Sequence, residues 1–101
     1  MKFKINGNTW KIKELEKSQF ELKEEGVIAE SCYLQQEIHL LSNSKSKRDD
    51  LKHELCHVWL YEYGHVQNDN YKYHYEQLCE IVARSNDFIN KVVSGYFKKE
   101  G

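Results

Sequence analysis

Residues 46–64 read SKRDDLKHELCHVWLYEYG. Within them Leu51, Leu55, Val58 and Trp59 recur at helical spacing, so one face of a helix should be buried. Ser46, with Asp49 three residues on, fits a helix-start pattern, and Gly64 supplies a stop. A helix is therefore expected from about Lys47 to Tyr63.

Working outward, the polar stretch from His65 to Asn70 reads as a loop. Tyr71, Tyr75, Leu78 and Val82 then repeat at helical spacing and predict a second buried helix, with Asp87 to Phe97 as a third. On the N-terminal side, Lys2 to Ile5 and Thr9 to Ile12 alternate polar and apolar residues around Asn6-Gly7, a dipeptide favoured in tight hairpins. The charged stretch from Lys13 to Gly26 fits either a short helix or an irregular loop. Val27 to Tyr33 and Glu37 to Leu41 alternate again, with Leu34-Gln35-Gln36 as the reversal. The fold class expected is α+β: a small antiparallel sheet packed against the Lys47 helix and one or two C-terminal helices, in a single domain spanning residues 1–101.

Composition narrows the class. The chain is 40% hydrophobic and 31% charged, with seven Tyr, four Phe and two Trp to build a modest core. A net charge of -1 argues against a nucleic-acid partner. Lys45, Lys47 and Arg48 are answered at once by Asp49 and Asp50, which marks a solvated segment. Met1 to Ile5 contains no apolar run of the kind a secretion signal or membrane span needs, so a cytoplasmic location and no membrane partner are expected. Cys32, Cys56 and Cys79 are odd in number and widely spaced, which suits a reducing compartment. Cys56 and Cys79 are each expected to be small core residues.

The chemistry lies in His53-Glu54-Leu55-Cys56-His57. Helical residues four apart sit about 40° from each other and one turn along the axis, so His53 and His57 can aim two imidazoles at one metal ion. Glu54 sits about 100° round from His53, placed for a general base acting on a metal-bound water. Two imidazoles and one carboxylate leave zinc a fourth position for that water. One zinc per chain and peptide-bond hydrolysis are the expectation. The third ligand is open: Glu76 on the next predicted helix leads, Glu80 lies one turn further, and His65, His74 and Asp69 compete. A metzincin is excluded, because Leu60 and Tyr63 stand where that class needs Gly and His. Tyr73 and His74 are candidate donors to a developing oxyanion.

The run from about Val27 to Ala83 resembles the small phage- and mobile-element-type metallopeptidases of the ImmA/IrrE group, which are zincin-like. The matching pieces are a strand pair, LKHELCHVWLYEYG at 51–64 and YEQLCEIVA at 75–83. Cys79 and Val82 stand where the group usually has Ala and Phe. The resemblance implies His53, His57 and Glu76 as zinc ligands and Glu54 as catalytic base. It also implies a protein substrate, with phage or mobile-element repressors as the class. Substrate should bind largely by backbone pairing along a sheet edge, and Glu37 to Leu41 is expected to be that edge.

Overall fold

The computed structural model describes residues 1–20 and 29–98. Its elements are β1 (Lys2–Ile5), β2 (Asn8–Leu15), a 3-10 turn at Lys17–Gln19, β3 (Ala29–Cys32), β4 (Glu37–Leu41), α1 (Lys47–Glu62) and α2 (Tyr75–Lys98). The first two residues of the expected strand from Val27 to Tyr33, and residues 21–26 of the ambiguous stretch before it, lie outside the described residues. The part of that stretch that is described continues β2 to Leu15 and then forms the 3-10 turn.

Asn6 and Gly7 take φ of 49° and 79°, the doubly positive pair that a two-residue hairpin turn needs, so β1 and β2 pair antiparallel as expected. The sheet, however, is mixed. Its order is β1-β2-β4-β3, with β2 parallel to β4 and β3 antiparallel to β4. Alternation gives the faces of a strand and not its neighbours, and here burial decides them. Ile38 and Leu40 are fully buried, which puts β4 in the centre, while β3 carries Glu30, Ser31 and Cys32 and takes the end. Glu37–Leu41 is therefore paired on both sides, and the expectation that it forms the exposed edge is overturned.

The inner face of the sheet presents Phe3, Ile5, Trp10, Ile12, Ile38 and Leu40. Against it lie Leu51, Leu55, Val58 and Trp59 of α1 and Ile89, Val92, Val93 and Tyr96 of α2. Polar clasps fix the layers. Glu62 of α1 accepts hydrogen bonds from Trp10 Nε1 (2.8 Å) and Asn8 Nδ2 (2.7 Å), and its carbonyl accepts one from Asn6 Nδ2 (2.9 Å). Glu14 of β2 pairs with Lys47 at 3.1 Å and accepts from the Tyr96 hydroxyl.

α1 runs as expected. Ser46 occupies the N-cap position, but its hydroxyl donates to the Asp50 carboxylate rather than capping the backbone. At the other end Gly64 has φ of 74°, with His65 N–H bonded to Leu60 O (2.8 Å) and Gly64 N–H to Tyr61 O (3.2 Å), a Schellman stop.

The two expected C-terminal helices are one, because neither proline nor glycine interrupts Tyr75 to Ser94. A stripe spaced three and four residues apart runs along α2 through Tyr75, Leu78, Val82, Ser85, Ile89, Val92 and Tyr96. Only its second half is buried. Tyr75, Leu78 and Val82 are 87%, 44% and 64% exposed, so the buried helix expected there is corrected: periodicity marks an apolar face without saying what covers it. Cys79 rides on this outlying half and is exposed, and Cys56 is exposed because it lies off the buried stripe of α1, which corrects both expected core positions. No helix among the described residues is long and apolar enough to cross a membrane.

The two halves of α2 and the centre of α1 should respond differently to truncation. Leu55→Ala should cost about 2–5 kcal/mol of stability and Leu78→Ser no more than about 0.5 kcal/mol, read by urea unfolding.

Candidate metal centre

Rotation of α1 on the sheet decides what each residue of the HExxH segment meets. With Leu51, Leu55 and Val58 at zero exposure against the sheet, His53 points to solvent and His57 is partly buried. Their Nε2 atoms converge to 3.2 Å. Two nitrogens each about 2.0–2.1 Å from a tetrahedral zinc would be about 3.3–3.4 Å apart, a separation close to the one observed.

The tautomer of His57 is also set for ligation. Its Nδ1 lies 2.6 Å from Gln67 Oε1, an acceptor, so Nδ1 carries the proton and Nε2 keeps its lone pair. The Gln67 amide in turn donates to the His57 carbonyl at 3.3 Å, which holds the loop after α1 against the helix. Gln67 escaped the sequence reading because a polar loop residue gives no signal of its own.

Glu54, about 100° round the helix from His53, sits under the sheet edge. It is only 8% exposed and accepts a hydrogen bond from Ser31 Oγ of β3 at 2.7 Å. The register explains the meeting. Ser31 is opposite Ile38 and shares the inner face with it, so the one polar inward residue of β3 falls over α1. Tyr33, just past β3, completes this cluster: its ring stacks on Tyr61 at 4.6 Å between centroids and meets Trp10 edge-on at 6.3 Å. Burial pushes the Tyr33 phenol above its ordinary pKa, hydrogen bonding to Gln67 pulls the other way, and the nearby Glu54 carboxylate adds to the rise. The phenol therefore stays protonated, and a donor, through neutral pH. Ser31 and Tyr33 were not legible in the sequence as site residues, since their role depends on which strand lies over α1.

The other expected participants are elsewhere. Glu76 lines a cleft of about 690 Å³ between the end of α1 and the start of α2, with Trp59, Tyr63, His65 and Glu80. It is not gathered with the two imidazoles, and among the described residues no compact three-donor group contains His53 or His57. Glu80 pairs with Arg84 at 2.8 Å. His65 stacks on Trp59 at 5.3 Å, and the His74 N–H is capped by Gln77 Oε1 at 3.0 Å. The Tyr73 hydroxyl donates to the Val66 carbonyl, and burial raises its pKa.

Removal of the Ser31 hydroxyl leaves the buried Glu54 oxygen short of a donor. Ser31→Ala should lower stability by about 1–3 kcal/mol in denaturant titration, more than an ordinary partly buried serine would.

No protein-family model matches the chain, and neither curated proteins nor solved structures give a match.

Proposed function

We propose that the chain is a zinc-dependent peptidase centred on His53, Glu54 and His57. The observation that carries this reading is the convergence of the two Nε2 atoms to 3.2 Å on a helix whose intervening Glu54 is held beneath the sheet edge. A purely structural zinc site would be expected to close all four positions with protein donors and would have no use for a base.

His53 and His57 would hold a zinc ion through Nε2, with His57 oriented by Gln67. Zinc there would supply a water whose pKa is lowered to about 7. Glu54 would serve as the general base toward that water and as the proton donor to the leaving amine. The Tyr33 phenol, kept protonated, is the donor in this cluster suited to a developing oxyanion, in place of Tyr73 or His74. Glu76 enters as third ligand through the family resemblance, as do a zincin-like fold and repressor proteins as the substrate class.

Backbone pairing by an extended substrate moves from β4 to β3. β3 ends the sheet among the described residues and lies against α1, so it is the strand suited to present a main chain to the histidines. A second reading is a zinc-binding regulatory module that engages a partner without cutting it. The exposed Tyr75, Leu78 and Val82 stripe favours that one.

Two experiments separate these readings. Glu54→Gln should keep zinc and the fold while lowering hydrolysis of an unfolded protein substrate by about 10²- to 10⁴-fold; hydrolysis at the wild-type rate removes the general base. In metal titrations His53→Ala should lose the site. Glu76→Ala should weaken zinc binding if it is the third ligand, and unchanged affinity would remove Glu76 from the ligand set.

A further inference from the structure

We propose that Glu30, Cys32 and His39 form a second divalent-metal site, on the face of the sheet turned away from the helices, with a thiolate–imidazole–carboxylate donor set suited to zinc. The inference is independent of the HExxH centre and stands on strand register.

Glu30 and Cys32 are two apart on β3 and so share a face, the one opposite Ser31. Glu30 is directly across from His39, and Cys32 across from Glu37. His39 therefore has one donor beside it and the other on the diagonal, both within reach of its ring. Cys32 Sγ is 3.5 Å from His39 Nδ1, and Glu30 Oε1 is 3.6 Å from the same nitrogen. The three donor atoms all lie within 4.8 Å of one another. Zinc bond lengths of about 2.3 Å to sulfur and about 2.0–2.1 Å to nitrogen and oxygen give tetrahedral edges of about 3.6 Å for S···N and about 3.3 Å for N···O. The first edge is met, and the second needs a shift of a few tenths of an ångström by the Glu30 side chain.

The outer partner of the imidazole is also in place. His39 Nε2 is 2.9 Å from Glu37 Oε1, and the other Glu37 oxygen is held by Lys13 Nζ at 2.9 Å. A carboxylate on Nε2 puts the proton there and leaves the Nδ1 lone pair facing Cys32 and Glu30, the arrangement that metal-bound histidines commonly show. A thiolate with an imidazole selects zinc over magnesium or calcium. Bound metal would tie the end strand β3 to the central strand β4, on the reverse of the residue that holds Glu54. The competing account of the same distances is a protonated His39 clamped between two carboxylates, with no metal.

Cobalt(II) titration distinguishes them, because thiolate ligation gives a near-ultraviolet charge-transfer band that imidazole and carboxylate do not. The test protein is the full chain with His53→Ala and His57→Ala to remove the other centre, and with Cys56→Ser and Cys79→Ser so that Cys32 is the only thiol. Circular dichroism checks its fold. Should it fail to fold, the same titration is run on the full chain carrying Cys56→Ser and Cys79→Ser alone. One equivalent of cobalt should produce the band, zinc should displace it, and Cys32→Ser or His39→Ala should abolish it. Glu37→Gln should weaken binding about 10- to 100-fold with the band retained. Absence of the band in the protein that keeps Cys32, or its persistence in Cys32→Ser, overturns the proposal.

Discussion

The seating of α1 on the sheet is the constraint from which the rest of the site follows. Leu51, Leu55 and Val58, all with zero exposure, fix the helix about its own axis. Once that rotation is set, the 100° step between neighbours sends His53 and His57 outward as a pair and Glu54 beneath the edge of the sheet. The polar clasp of Glu62 on Trp10, Asn8 and Asn6 holds the end of the helix to the first hairpin, so rotation and axial position are both specified.

A single strand contributes to both candidate sites. β3 turns Ser31 inward to Glu54 and turns Glu30 and Cys32 outward to His39, as the two-residue period of a strand requires. Its position at the end of the sheet is itself a consequence of composition. Its inward positions offer only Ala29 and Ser31, whereas β4 brings Ile38 and Leu40 to the buried centre.

What was legible in the sequence was local. The Asn6-Gly7 turn, the bounds of Glu37 to Leu41, and the helix from Lys47 to its Gly64 stop all follow from short-range sterics and periodicity, and each appears as expected. The order of the strands, the parallel pairing of β2 with β4 and the exposure of Tyr75, Leu78 and Val82 depend on contacts between distant segments, which no local pattern encodes. The same division holds at the site. The histidine pair is an i, i+4 matter and was visible, whereas Ser31, Tyr33 and Gln67 join it only through tertiary placement. Glu76, in the first turn of a helix whose first half lies outside the core, is the residue for which spacing gave least guidance.

The proposed metal pincer of His53 and His57 can be seen by anomalous diffraction at the zinc edge from zinc-loaded crystals. A peak is expected about 2.0–2.1 Å from both Nε2 atoms. Fully loaded crystals with no peak between His53 and His57 would contradict it.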